Sequence, residues 1–89
     1  MIGIKKVLVV EDNQGFRELL KCTFEDGGFK IFSECNGKEG LDKTIGEKPD
    51  IIFSDVMMPD MSGIEMVKEL NSKGIKIPII ILTDTHFNS

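Results

Sequence analysis

The sequence has little of what several classes of protein require. Only two of its 89 residues are cysteines, Cys22 and Cys35, which is too few for a disulfide framework or a zinc site. We therefore expect both to be reduced and structural. The apolar run near the N-terminus is too short to span a bilayer, and no small-residue cleavage site follows it. A cytoplasmic protein is expected.

An excess of positive charge is also missing. Eleven basic residues are scattered among fifteen acidic ones, giving a net charge of −4. The basic patch typical of a nucleic-acid-binding protein is therefore absent, and no direct nucleic-acid partner is expected. The sequence has neither an internal repeat nor a low-complexity tract, and 40% of it is hydrophobic. These features predict one small folded domain over residues 1–89, burying about 60 to 65% of its surface.

Four apolar segments have the pattern of strands. Residues 7–10 form a continuous β-branched run typical of a strand buried on both faces of a parallel sheet. Residues 29–33 predict a weaker strand, residues 50–54 follow Pro49 and predict a third, and residues 78–83 predict the last. Each is separated from the next by a segment with helical periodicity.

Three helices are predicted between these strands. The first begins at Gln14, with apolar residues at helical spacing, and stops at Gly27 and Gly28. The second covers residues 37–45 and is ended by Gly46. The third covers residues 62–73, and we expect an inner face composed of Ile64, Val67 and Leu70.

Strands that alternate with helices through short connections form βαβ units, whose right-handed crossovers make the sheet parallel. The predicted fold class is α/β, with a doubly wound parallel sheet. In such a sheet the binding crevice lies beyond the carboxyl ends of the strands. Residues directly after the predicted strands are therefore the candidates for function.

Polar residues occupy these positions. Glu11 and Asp12 follow the first predicted strand, Asp55 follows the third, and Thr83 ends the fourth. Clustered carboxylates repel one another unless a cation lies among them, and hard oxygen ligands suit Mg²⁺. With a metal bound, Asp55 could act as a nucleophile towards phosphorus, and Thr83 could donate a hydrogen bond to the phosphoryl group.

A plainer interpretation is that these residues are solvated turn formers and helix caps. Taken singly, Asp12, Asp60 and Ser62 are explained by capping at least as often as by function, and Ser62 with Glu65 matches a capping box. This interpretation weakens for the set of Glu11, Asp12, Asp55 and Thr83, because chance rarely places all four at strand ends.

Three segments together resemble the receiver domains of two-component response regulators: VLVVEDN, PDIIFSDVMMPDMSGIE and PIIILT. The resemblance spans nearly the whole chain. It implies the strand order 2-1-3-4, with the fifth strand and last helices of a receiver missing. It further implies that Met58, Pro59 and Gly63 shape the loop that positions Asp55.

The resemblance also implies a function and a set of ligands. Asp55 would accept a phosphoryl group from a histidine kinase or phosphotransfer protein in a phosphorelay, and Thr83 would be the switch hydroxyl. Mg²⁺ would be bound by Asp12, Asp55 and the Met57 backbone carbonyl, with Glu11 acting through water. Beyond phosphorylation and dephosphorylation of its own Asp55, no enzymatic activity is expected.

Two departures favour an alternative function. The lysine that receivers carry after their fifth strand has no counterpart, and Asp84 stands where a small residue is usual. A pseudo-receiver that dimerises or binds a partner with little phosphorylation therefore remains open. A Mg²⁺-dependent phosphatase of another α/β family is a third hypothesis, but it needs a second Asp close behind Asp55, and Val56 and Met57 do not provide one.

A homodimer is expected because nothing follows the fourth predicted strand to cover it. An exposed, flat, hydrophobic edge favours association, and we expect either the strand-four edges or the uncovered faces to meet about a two-fold axis that closes the assembly. The expected interface residues are Ile79, Ile80, Ile81 and Leu82.

Overall fold

Strands and helices alternate along the chain in the computed structural model, which describes residues 3–58 and 60–82. In chain order the elements are β1 (Lys6–Val10), α1 (Gln14–Asp26), β2 (Lys30–Glu34), α2 (Gly37–Glu47), β3 (Ile51–Asp55), α3 (Gly63–Ser72) and β4 (Ile79–Leu82). The predicted α/β class is confirmed. Thr83, which the sequence places at the end of the fourth strand, lies outside the described residues.

The four strands form one parallel sheet in the order β2-β1-β3-β4, as predicted. Val10, the last residue of β1, pairs with Glu34 of β2 on one side and with Ser54 of β3 on the other. The residues that come next, Glu11 and Asp55, therefore lie side by side at the carboxyl edge of the sheet. This register brings together acidic residues that are far apart in the sequence.

The alternation of side chains along β1 divides the core into two layers. Leu8 and Val10 are fully buried with Ile52, Met66 and Leu70 on the face covered by α2 and α3. Val7 and Val9 are buried on the opposite face, where Phe24 of α1 packs against Phe53 with ring centroids 4.9 Å apart. Both faces of β1 are covered, as predicted, and this explains why its apolar residues form a continuous run.

The ends of β2 and β3 lie one residue later than the sequence pattern predicts. Asp50 lies outside β3, and its carboxylate accepts hydrogen bonds from the backbone N–H groups of Lys5 and Lys6, both at 2.9 Å. Asp55 is consequently the last residue of β3 rather than the first residue of the following loop. Its backbone is held by pairing with Leu82 of β4.

The prediction that Gly46 ends α2 is wrong. The helix continues through Gly46 to Glu47, and the chain turns at Lys48, which has a left-handed φ of 51°. Lys48 N–H still donates to the carbonyl of Thr44 at 2.9 Å, and Pro49 comes next. The cause is that Pro disfavours helical geometry in the residue before it, whereas an isolated glycine is tolerated inside a helix.

The predicted inner face of α3 is also partly wrong. Gly63, Met66 and Leu70 are buried, whereas Ile64 is 47% exposed and Val67 is only half-buried. Two apolar stripes lie side by side on this helix, and periodicity alone does not decide which one faces the sheet. The buried stripe is the one that contains Met66. This side chain packs near Gly40 of α2, which has no side chain and so leaves room for it.

Neither cysteine has the structural role predicted for it. Both are free thiols, as expected, but both are exposed, so neither contributes to the core. Within residues 3–58 and 60–82, no helix combines the length and the apolar character needed to cross a membrane.

Candidate functional site

Three carboxylates meet at the carboxyl edge of the sheet. Glu11 and Asp12 follow β1, Asp55 ends β3, and one oxygen from each of the three lies within 4.8 Å of the others. Exposure increases across the group, because Glu11 is 4% exposed, Asp55 is half-buried and Asp12 is exposed. The site is therefore an acidic cluster with a buried side and an open side.

Glu11 is held firmly on the buried side of this cluster. Its backbone N–H donates to the carbonyl of Glu34 at 3.0 Å, and its side-chain Oε2 accepts from the N–H of Asn13 at 3.0 Å. The pKa of Glu11 is raised from 4.5 to about 7, chiefly by burial and also by the nearby Asp55 and Asp12, while the Asn13 hydrogen bond opposes the shift. Near neutral pH this carboxyl group is therefore only partly ionised.

The turn after Glu11 is ordered by the start of α1. Asn13 is the N-cap of this helix, and its Oδ1 accepts from the N–H of Phe16 at 2.9 Å. In the second turn, Arg17 Nη1 donates to the backbone carbonyl of Glu11 at 2.7 Å. The capping role considered for Asp12 thus belongs to Asn13, which leaves the Asp12 side chain exposed beside the other two carboxylates.

The far side of the cluster is shaped by the connection between β3 and α3. Ser54 is fully buried, and its hydroxyl donates to the carbonyl of Asp55 at 2.9 Å. Gly63 N–H donates to the carbonyl of Val56 at 3.0 Å, which closes the loop back onto the end of β3. The Met57 side chain is 74% exposed, two residues beyond Asp55.

The predicted capping box at the start of α3 is confirmed. Ser62 Oγ accepts from Glu65 N–H at 3.1 Å, and Glu65 Oε1 accepts from Ser62 N–H at 3.0 Å. These two hydrogen bonds account for Ser62, which is a structural residue next to the cluster. Two predicted site residues, Pro59 and Thr83, lie outside the described residues.

The carboxylate cluster has the composition and dimensions of a magnesium site. Mg²⁺ takes oxygen ligands at about 2.0 to 2.1 Å in octahedral geometry, so oxygens on opposite sides of the ion lie roughly 4.2 Å apart. Three carboxylate oxygens within 4.8 Å of one another could therefore surround one ion, either directly or through a bound water. A cation there would also offset the burial and the carboxylate repulsion that together raise the pKa of Glu11.

Arg17 and Asn13 are the site residues that sequence patterns did not identify. Both belong to α1, whose periodicity shows a helix but not which polar side chains turn back towards the strand. The available signal was local: an Asn directly after the acidic pair is a typical N-cap, and a residue four positions later lies one turn further along the same helix.

A parallel sheet in the order 2-1-3-4 with helices on both faces is the arrangement of a flavodoxin-like domain. The acidic cluster lies at the carboxyl edge of the sheet, where such domains bind ligands. The family model described as "Response regulator receiver domain" matches residues 7–88. The chain therefore belongs to the response regulator receiver domain family, as its sequence resemblance predicted.

Relatives with curated names support this assignment. The chain is 40% identical over 79 residues to the alkaline phosphatase synthesis transcriptional regulatory protein PhoP of Bacillus subtilis, covering 89% of this chain and 33% of that protein. It is 37% identical over 79 residues to sporulation initiation phosphotransferase F of the same organism, covering 89% and 64%. The chain thus spans about a third to two thirds of the length of these relatives.

Solved structures share the fold. The receiver domain of Francisella response regulator 1452 matches with a TM-score of 0.86 and 34% identity, over 92% of this chain and 68% of that one. Chemotaxis response regulator CheY4 of Vibrio cholerae matches with a TM-score of 0.83 and 36% identity, over 92% and 71%.

Proposed function

We propose that this domain accepts a phosphoryl group on Asp55 as part of a two-component phosphorelay. The observation that carries the proposal is the meeting of three carboxylates at the ends of β1 and β3 in a chain of the receiver family. Asp55 is the best placed nucleophile of the three. It is half-buried at a strand end, whereas Glu11 is closed off from solvent and Asp12 lies at the exposed rim.

Mg²⁺ is the cofactor that we assign to this site. Asp12, Asp55 and the backbone carbonyl of Met57 would hold it, with Glu11 acting through water. When bound, Mg²⁺ supplies positive charge that offsets the repulsion between the carboxylates and an incoming phosphoryl group. The three carboxylates provide the hard oxygen atoms that this ion prefers.

In the transfer step, a carboxylate oxygen of Asp55 attacks the phosphorus of a phosphohistidine. The new oxygen–phosphorus bond forms as the phosphorus–nitrogen bond breaks, and the ring nitrogen keeps the bonding electrons and takes a proton from water. Thr83 would donate a hydrogen bond to the transferred group. The donor would be a histidine kinase or phosphotransfer protein in the cytoplasm. The similarity to sporulation initiation phosphotransferase F of Bacillus subtilis supports this class of reaction.

Intact mass spectrometry tests the proposal. Incubation with acetyl phosphate and Mg²⁺ should add the mass of one phosphoryl group, and removal of Mg²⁺ with EDTA should prevent it. Asp55→Asn should abolish the addition, whereas the matched control Asp60→Asn, at an exposed position of the following loop, should retain it. If the wild type gains no mass, or if Asp55→Asn gains it equally, the proposal is wrong.

A second function, dimerisation, is favoured by the edge of the sheet. In the part of the chain that the structure describes, β4 pairs only with β3, and its other edge is open. An apolar groove runs beside it, lined by Ile64, Val67, Ile75, Ile77, Ile79 and Ile81. We propose that a second copy of this chain occupies the groove.

A second copy fits this surface because it brings the same strand edge and the same groove. A two-fold axis beside β4 would either pair the two strand edges or set one groove against the other, and either arrangement would cover apolar surface of β4, which consists of Ile79, Ile80, Ile81 and Leu82. Each apolar side chain that becomes fully buried contributes about 1.5 to 3 kcal/mol. Such a dimer does not require phosphorylation, so it is compatible with a receiver that only binds partners.

Light scattering on the 89-residue chain tests the dimer. We expect a dimer at micromolar concentration and a monomer for Ile64→Lys, which puts a charge into the groove at a side chain that is already partly exposed. The control Leu19→Lys places the same charge on the exposed face of α1, away from the groove, and should remain dimeric. A wild-type monomer under these conditions would contradict the dimer.

A further inference from the structure

The guanidinium of Arg17 is fixed beside the acidic cluster without taking part in it. Its Nη1 donates to the backbone carbonyl of Glu11 at 2.7 Å, and the side chain is half-buried. Among the residues that the structure describes, no carboxylate lies within ion-pair distance of it. The contact to Glu11 therefore accounts for where this side chain lies.

The carbonyl that Arg17 binds lies at a sensitive point of the backbone. Glu11 is the first residue after β1, and its carbonyl belongs to the peptide group that joins it to Asp12. The orientation of this peptide group helps to set the direction in which the Asp12 side chain leaves the backbone. A hydrogen bond from a charged donor is shorter and roughly twice as strong as one between neutral groups, so the 2.7 Å contact strongly restricts that orientation.

We propose that Arg17 is a positioning residue for the cation site, holding the Glu11–Asp12 peptide group so that both carboxylates face a common centre with Asp55. This inference rests on the proposed function, because it concerns binding of Mg²⁺ at the same cluster. Arg17 acts through the backbone of Glu11 and does not touch the metal. Its effect is to prepare the ligands before the ion arrives.

A positioning role and a purely electrostatic role for Arg17 predict opposite changes in Mg²⁺ affinity when the residue is replaced. A fixed positive charge next to a cation site repels the cation, so loss of the charge alone should tighten Mg²⁺ binding. Loss of the hydrogen bond should instead weaken Mg²⁺ binding. The Asp12 side chain would then become ordered only on binding, and the cost of ordering it would reduce the binding free energy. The direction of the change in dissociation constant therefore separates the two roles.

Isothermal titration calorimetry of Mg²⁺ with the full chain provides this measurement. We expect Arg17→Met to weaken binding about 10-fold, in line with changes to groups that support metal ligands in other sites, and Arg17→Lys to recover part of the loss. The control Lys21→Met removes one positive charge from the next turn of α1. Lys21 makes no side-chain hydrogen bond to the residues that the structure describes, so this variant should bind Mg²⁺ as tightly as the wild type or slightly more tightly.

Hydrogen exchange gives a second readout that does not depend on the metal. The N–H of Asn13 is bonded to Glu11 Oε2 in the same turn. In metal-free protein at a fixed pH, this amide should exchange faster in Arg17→Met than in the wild type, and Lys21→Met should leave it unchanged. Urea unfolding of each variant shows whether the change is local.

The outcomes distinguish this inference from the function on which it rests. If wild-type protein binds Mg²⁺ and Arg17→Met binds it equally well or better, Arg17 is not a positioning residue, and the proposed function stands. If the wild type binds no Mg²⁺, the metal site itself is wrong. Should Arg17→Met fail to fold, Arg17→Gln replaces it. Its side chain is too short to reach the Glu11 carbonyl in the same way, and wild-type affinity in that variant would overturn the inference.

Discussion

Gly63 packs directly against the backbone carbonyl of Asp55. A Cβ atom at Gly63 would overlap the Asp55 carbonyl oxygen and would lie 3.0 Å from the hydroxyl oxygen of Ser54. Gly63 is also the first residue of α3, and its N–H is bonded to Val56. The absence of a side chain at this position allows the end of β3 and the start of α3 to approach as closely as they do.

Gly63→Ala should therefore destabilise the domain by about 1 to 3 kcal/mol, because the backbone of Asp55 or the start of α3 has to move. Gly46→Ala is the matched control, since a Cβ at that helical position meets no atom within 4 Å. We expect the control to gain about 0.5 to 1 kcal/mol from helix propensity. Urea unfolding measures both, and equal stability of Gly63→Ala and wild type would contradict the packing argument.

The raised pKa of Glu11 predicts how stability depends on pH. Folded Glu11 has a pKa of about 7 against an ordinary 4.5, so between these values the folded chain binds more protons than the unfolded chain. The contribution of Glu11 to the free energy of unfolding is fully present below about pH 4.5 and is lost as pH rises from there through about 7. The free energy of unfolding of metal-free protein should thus fall with rising pH, by at most about 1.4 kcal/mol per pH unit.

Urea unfolding between about pH 5 and pH 8 checks this dependence. Glu11→Gln should remove the slope, because its amide does not titrate. Glu25→Gln, an exposed change on α1, should keep the wild-type slope. Matching profiles for the wild type and Glu11→Gln would show that Glu11 is not the titrating group.

Mg²⁺ should stabilise the folded chain because it binds the assembled cluster and not the separated carboxylates. At ten times its dissociation constant, the gain is about 1.4 kcal/mol. Asp12→Asn removes a charged ligand and should lose most of this gain, whereas Asp26→Asn, an exposed change at the end of α1, should keep it. Thermal unfolding with Mg²⁺ or EDTA measures the difference, and an equal gain in both variants would place the ion elsewhere.

The capping box at the start of α3 should contribute measurably to stability. Ser62→Ala removes the oxygen that accepts from Glu65 N–H, and such a loss typically costs about 1 kcal/mol. Ser72→Ala, at the exposed end of the same helix, should change stability by less than about 0.5 kcal/mol. Chemical denaturation of the two variants distinguishes them, and similar losses would mean that the box is not formed in solution.

Local patterns in the sequence were sufficient for the type of each element and for the membership of the acidic cluster. The continuous apolar run of β1 reflects burial on both faces, and the Ser62 capping box is visible as two residues three positions apart. The strand order followed from the receiver resemblance, since periodicity alone leaves the order open. Glu11, Asp12 and Asp55 could be placed together because parallel strands end at one edge of their sheet.

Features that depend on contacts between distant residues could not be predicted in this way. The sequence does not show that Met66 rather than Ile64 faces the sheet, because that choice depends on the space beside Gly40 of α2. Nor does it show that Cys22 and Cys35 are exposed. Each of these outcomes depends on which surface of an element meets its neighbour.

The sequence by itself therefore determined the α/β class, the helix cap at Ser62 and the acidic residues of the site. Only the tertiary structure decided that Glu11 is buried with a raised pKa, and that Arg17 reaches back to its carbonyl. The physical reason is the distance along the chain over which each kind of interaction acts. Propensity, capping and periodicity act over a few neighbouring residues, whereas burial, charge repulsion and a hydrogen bond from one element to the next depend on how the elements pack.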